Sequence, residues 1–164
     1  MAKEKEKKTN AMRIVERAKV PYNTYHYAWS EDRIDAESVA EEIQKPADKV
    51  FKTLTAVGDK TGVVIGVIPS NMELDLKKFA RASGNKRVEM LHLKDLEKTT
   101  GYIRGGCSPI GMKKDYPTYV GDQINNIDEI IVSAGKRGNQ IGLAVADFLS
   151  VTKAVVSDLT KPKE

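Results

Sequence analysis

Three short stretches hold the residues best able to do chemistry. The first is Tyr102–Lys114, YIRGGCSPIGMKK, which sets the only cysteine of the chain between paired glycines and a Ser-Pro. A cysteine nucleophile needs a stabilised thiolate, usually beside a histidine or a helix N-terminus. His26 and His92 are both distant in sequence from Cys107, so the thiol reads as a small apolar loop residue and should be replaceable. The backbone around it has the stronger case. Gly105 and Gly106 permit close approach and unusual dihedrals, Pro109 sets a turn, and Gly111 opens another. Such a loop can aim successive N–H groups at an oxyanion or a phosphate. A plain glycine turn between strands accounts for the same residues equally well. Lys113 and Lys114 either meet phosphate or form a solvated pair.

The second stretch is VFKTL, residues 50–54. Strand alternation puts Val50, Lys52 and Leu54 on one face, with Phe51 and Thr53 on the other. A lysine among apolar neighbours is costly unless its ammonium reaches water, a cavity or an anion. The third is SAGKRG, residues 133–138, where small residues precede Lys136 and Arg137. It lacks P-loop spacing, and reads as a phosphate cradle or as a charged turn. The two histidines have no metal-binding spacing, and no Ser-His-Asp set is evident. Glycine loops with cations, and no expected metal or cofactor, suit a pocket for an anionic or ester-bearing ligand.

The rest of the chain must position these residues. Its 164 residues are enough for one domain with a real core, and 40% hydrophobic with 30% charged residues describes a globular protein. No apolar run is long enough for a spanning helix, and a lone cysteine fits a reducing, cytoplasmic setting. The net charge of +4 permits an anionic partner without demanding one, because Lys3, Lys5, Lys7 and Lys8 supply much of it. Residues 1–8 read as a charged, flexible leader and 9–160 as the folded domain.

The spacing predicts a first helix over Asn10–Lys19, a strand within Tyr22–Trp29, and a helix from the Asp35 cap to Gln44. Val50–Val57 and Val63–Ile68 form a hairpin, the second strand apolar enough to be buried on both faces. A helix follows Asp75, with Leu76, Phe79 and Ala80 facing inward and Gly84 as its stop. Further strands are expected over Arg87–Leu93, Pro117–Val120, Glu129–Ser133 and Ala154–Leu159. Helices are expected at Lys94–Thr99 and Val145–Lys153. The sum is a single mixed α/β domain, with a curved, barrel-like mixed sheet flanked by helices.

VFKTL, LDLKKFA…G, KRVEM, TGYIRGGCSPIGMKK and VSAGKRG stand in one order and spacing. In this the chain resembles the YbaK/EbsC family of aminoacyl-tRNA deacylases, related to the editing domain of bacterial prolyl-tRNA synthetase, over Thr9 to Leu159. The resemblance implies an enzyme that removes cysteine from mischarged tRNA(Pro), and from Cys-tRNA(Cys), with prolyl-tRNA synthetase as a partner. It implies that Lys52 is essential, that the Gly105 and Gly106 amides meet the aminoacyl carbonyl, and that Tyr27, Thr53 and Ser133 line the pocket. Apart from the resemblance, Lys113, Lys114, Lys136 and Arg137 are the candidate phosphate or tRNA contacts. The resemblance further implies that the substrate's own thiol attacks its ester, and a monomer is the simplest expectation for a chain of this size. Gln140 departs from relatives that carry an acidic residue there. Two other functions fit the residues: a water-dependent deacylase for another small amino acid such as alanine, or a tRNA- or nucleotide-binding module without turnover.

Overall fold

The computed structural model describes residues 8–30 and 35–163, so nearly all of the expected leader lies outside the described residues. Helix α1 (Asn10–Arg17) starts where the Thr9 hydroxyl accepts from the Met12 amide, and it buries Ala11, Met12 and Val15. Strand β1 (Asn23–His26) follows, then α2 (Ala36–Ile43), capped by Asp35 and closed by Gln44 in a left-handed conformation. The long hairpin comprises β2 (Phe51–Gly58) and β3 (Gly62–Pro69), paired over their whole length. Val64, Ile65, Val67 and Ile68 of β3 are fully buried, as an apolar run covered on both faces must be.

A short β4 (Met72–Leu74) leads to α3 (Leu76–Ser83), where Asp75 accepts from the Lys77 and Lys78 amides and Gly84 supplies the left-handed stop. Phe79 and Ala80 face inward as predicted. Leu76, at the first position of the helix, does not, and stays 38% exposed. Strand β5 is only Val88–Met90, shorter than its apolar pattern suggests, because the chain turns at once into a 3₁₀ segment (Leu93–Asp95) and α4 (Leu96–Thr100). After the glycine loop come β6 (Thr118–Gly121), β7 (Glu129–Ser133), β8 (Asn139–Ala144), α5 (Val145–Thr152), β9 (Val155–Ser157) and β10 (Thr160–Pro162). The predicted final strand over Ala154–Leu159 is shorter, Val155–Ser157. Strands β4, β8 and β10 were not legible beforehand.

The strands form three sheets. The central sheet runs β5-β2-β3-β6-β9, antiparallel on the hairpin side and parallel from β3 to β9. An antiparallel sheet runs β1-β8-β7, and β10 pairs with β4. A single parallel bridge, Val50 to Ile131, ties β7 to the start of β2. The main core fills with Phe51, Ile65, Val67, Val120, Ile130, Val132, Ile141 and Phe148, while Ala56, Val64, Ile68 and Phe79 pack on the opposite face. The mixed α/β class is as expected. Among the described residues no helix is long and apolar enough to cross a membrane.

One buried amide side chain sets the far end of the hairpin. Asn85 Oδ1 accepts from the Lys60 and Thr61 amides at 2.8 and 3.0 Å, and its Nδ2 donates to Ser83 Oγ at 2.8 Å. Gly58 lies so close that a Cβ there would fall 2.2 Å from Asn85 Nδ2. Asn85 therefore fastens the β2–β3 turn to the α3–β5 junction. Asn85→Ala strands several polar groups at once and should cost about 2–3 kcal/mol. Urea titration should show a lower midpoint with an unchanged slope.

Candidate functional site

Strand β2 has a complete partner on one edge and two partial ones on the other. Ile131 of β7 donates to the Lys49 carbonyl at 2.9 Å, and Leu91, next to β5, donates to the Thr55 carbonyl at 2.9 Å. Ladder bonds alternate along a strand, so the backbone groups of Thr53 point to the same edge as those of Thr55. Among the described residues no strand occupies that edge between β7 and β5. A cavity of about 330 Å³ opens at this gap.

Lys52, Thr53 and Thr55 come to the cavity from β2, Ser133 and Gln140 from the paired ends of β7 and β8, and Arg104, Gly105 and Cys107 from the glycine loop. Met90, Leu91, Leu93 and Leu96 form an apolar side, with Leu93 60% and Met90 44% exposed at the rim. Asp35 and Glu37 of the α2 N-terminus, with Lys163 paired to Glu37, complete the lining.

Lys52 is half-buried, and among the described residues its ammonium has one long hydrogen bond, 3.4 Å to the Ser70 carbonyl. Burial holds its pKa below the usual lysine range, while the charges of Glu73 and Asp35 oppose the drop. Neither carboxylate is close enough for an ion pair. Beside it the Thr53 hydroxyl is buried without a hydrogen-bond partner among the described residues. Among the described residues, a desolvated cation without a counter-ion and an unpaired hydroxyl in one cavity favour an anionic or strongly polar ligand.

The two glycine-rich loops meet here. The Tyr102 hydroxyl donates to the Ile110 carbonyl at 2.5 Å. A Cβ at Gly111 would come within 2.9 Å of that hydroxyl, and one at Gly135 within 2.9 Å of the ring. Both glycines also have positive φ, 84° and 102°. Tyr102 is thus the wedge joining loop 102–111 to loop 133–138. Gly106 is buried against the latter, where a Cβ would lie 3.1 Å from the Arg137 nitrogen and the Lys136 Cα.

Its amide is committed to the Ile103 carbonyl at 2.9 Å, so Gly106 shapes the turn and does not line the cavity. This corrects the expectation that both glycine amides face a substrate carbonyl. Gly105 does line the cavity, and among the described residues neither its amide nor that of Cys107 has a protein acceptor.

Burial pushes the Cys107 thiol up to about 11, with the Thr100 and Thr55 hydroxyls opposing part of the rise. A thiol held neutral is a poor nucleophile, in line with its reading as an apolar loop residue. Lys52, Thr53, Gly105 and Ser133 are therefore brought together, with Cys107 and Gln140 among them. Tyr27 is not at the cavity: its amide donates to the Gly138 carbonyl at 3.0 Å and so holds the second loop. Lys113 folds over Gly101, its ammonium donating to the Lys98 carbonyl at 3.2 Å. Lys114 is exposed, and neither lysine lines the cavity. Lys136 and Arg137 lie behind the glycine loop, Arg137 Nε donating to the Arg104 carbonyl at 2.8 Å. Sequence reasoning missed Thr55 and Arg104, although Thr55 shares the strand face of Thr53 and Arg104 directly precedes the glycines. The apolar rim had no signal, since α4 is brought to it only by the chain's turn after β5.

An interrupted sheet edge, a half-buried ammonium and two loop amides without protein acceptors among the described residues make this cavity a polar recess. The chain belongs to the aminoacyl-tRNA editing domain family, which matches residues 30–151. It is 62% identical over 161 residues, 98% of each chain, to a protein of Enterococcus faecalis named provisionally as a Cys-tRNA(Pro)/Cys-tRNA(Cys) deacylase, EbsC. Two solved structures share its fold. One, described provisionally as a trans-editing enzyme for prolyl tRNA synthetase, superposes with a TM-score of 0.79 at 20% identity, over 93% of this chain and 95% of its own. A hypothetical protein gives 0.83 at 16% identity, over 93% and 100%.

Two outcomes follow. Burial depresses the Lys52 ammonium, so at neutral pH the unfolded chain holds that proton more tightly than the folded protein. This cost is present below the depressed folded value and vanishes as pH rises past the unfolded lysine value. Lys52→Met should abolish function while leaving Tm at pH 7 at or above that of the parent. The difference should shrink in alkaline buffer, as scanning calorimetry across pH will show. Cys107→Ala should remain folded and keep most of its activity in the assay described next.

Proposed function

We propose that this protein is a cytoplasmic, monomeric trans-editing deacylase that removes cysteine from Cys-tRNA(Pro), and from Cys-tRNA(Cys). The carrying observation is that the Lys52 ammonium, without an ion-pair partner among the described residues, lines the same cavity as Gly105 and Cys107, whose amides have no protein acceptor among those residues. The identity to EbsC supports the cysteinyl substrate, and prolyl-tRNA synthetase is the partner that would deliver the tRNA.

The substrate's sulfur attacks its own ester carbonyl, the bond to the ribose oxygen breaks, and the thiol proton passes to that oxygen. The products are a cysteine thiolactone and free tRNA. No protein nucleophile is required, which suits a Cys107 thiol that stays protonated. Holding thiol and carbonyl in a near-attack pose can contribute on the order of 7–11 kcal/mol at best. A preorganised oxyanion donor adds roughly 3 kcal/mol. The Gly105 and Cys107 amides, without protein acceptors among the described residues, would serve the latter role. Lys52 would hold the ester or the terminal phosphate, Thr53 would meet the amino acid, and Ser133 and Gln140 would close the floor.

Deacylation of Cys-, Ala-, Ser- and Pro-tRNA, with and without prolyl-tRNA synthetase, tests the reading. Cys-tRNA should lose its ester, and Ser-tRNA, with its weaker nucleophile, should be nearly inert. Lys52→Ala should lower the rate by about 100-fold or more, the scale for removing one transition-state contact. Equal cleavage of Ala-tRNA would mean that water is the nucleophile. Salt-sensitive binding without ester loss would mean a binding module.

A further inference from the structure

Trp29 and Arg137 take no part in the chemistry above, yet their arrangement is built. Trp29 is the chain's only tryptophan and is 47% exposed. The bond from the Tyr27 amide to the Gly138 carbonyl anchors the segment just before it. Gly138 has φ +88°, and a Cβ there would sit 3.2 Å from Trp29 Cδ1, so a glycine lets the loop lie against the indole. The Arg137 guanidinium carbon stands 5.0 Å from the ring centroid. Its Nε is fixed by the Arg104 carbonyl at 2.8 Å, and Arg104 lines the cavity. Indole, guanidinium and cavity wall therefore form one continuous chain of contacts.

A large ring kept half in water contributes little to a core, and a cation over it raises its affinity for a partner that is both flat and anionic. A nucleotide is both. We propose that Trp29 and Arg137 form a stacking platform for a base of the substrate's single-stranded 3′ end, next to the terminal aminoacyl-adenosine. The inference rests on the deacylase reading for the identity of the strand. Stacking on an aromatic ring tolerates any base, because every base has a π-face. The guanidinium adds its own attraction for the ring and for the intervening phosphate. Lys136, half-buried beside Arg137, adds charge to the same loop.

Since Trp29 is the only tryptophan, its fluorescence reports the platform directly. An uncharged acceptor-stem hairpin ending in single-stranded CCA should quench it. The same hairpin with abasic nucleotides in that end, equal in charge, should not. Trp29→Ala should lower the ratio of kcat/KM on Cys-tRNA to that on cysteinyl-adenosine by about 5- to 100-fold, with Trp29→Phe restoring part of it. Quenching by the CCA hairpin without any deacylation would sustain the platform and overturn the deacylase reading. Normal deacylation with no quenching, or an equal loss on both substrates, would overturn the platform. So would a Trp29→Ala penalty seen only when prolyl-tRNA synthetase is present, which would make the indole a protein contact.

Discussion

Everything at the site depends on an incomplete strand edge. β3 covers one side of β2 from Phe51 to Gly58, whereas the other side is shared between a single bridge to β7 and three residues of β5. The interval between those partners leaves the backbone of Thr53 facing a cavity. An open edge is ordinarily a liability, which proteins cover or charge. Here it is roofed by the glycine loop and α4 and charged by Lys52, so a hazard of sheet architecture becomes a recess. The Asn85 staple matters to function for this reason, since it holds the junction from which β5 begins.

The second constraint is the join between the two glycine-rich loops. Tyr102 lies between Gly111 and Gly135 where side chains would collide with its ring, and Gly106 backs onto Lys136 and Arg137. This docking fixes Gly105 and Cys107 on the cavity side and the cationic pair behind them. Lys52 reaches the same cavity from β2, half-buried and without an ion-pair partner among the described residues. Such an arrangement gives up some stability for a ligand site, a common pattern where function requires desolvated charge.

Much of the local architecture was legible because it rests on local physics. Asp35 and Asp75 cap helices by accepting from amides two or three residues on, and Gly84 and Gly101 end them in left-handed conformations. The apolar run of β3 demanded burial on both faces and received it. Strand β8 was missed because Gly135 and Gly138, just before it, read as breaks. In the fold Gly142 is needed, since a Cβ there would strike Glu129 and Tyr25. Strands β4 and β10 are three residues each and exist only because they pair with one another, a contact between distant parts of the chain. Leu76 was assigned inward from periodicity alone, which does not tell the first turn of a helix that the core lies under the second.

For the site, the sequence by itself determined a lysine placed within an apolar strand and a closely set glycine pair, the latter equally readable as an ordinary turn. These bear on desolvation and backbone geometry, and they are visible wherever the residues stand. Only the tertiary structure decided which amide was free, because that depends on a hydrogen bond from Gly106 to Ile103. It also decided that Tyr27 braces a loop instead of lining the pocket, and that the cavity lies at a gap between two strands. Chemical type is a property of residues one at a time, whereas a recess is made by the partners a strand lacks, and pairing over long separations is set by the whole chain.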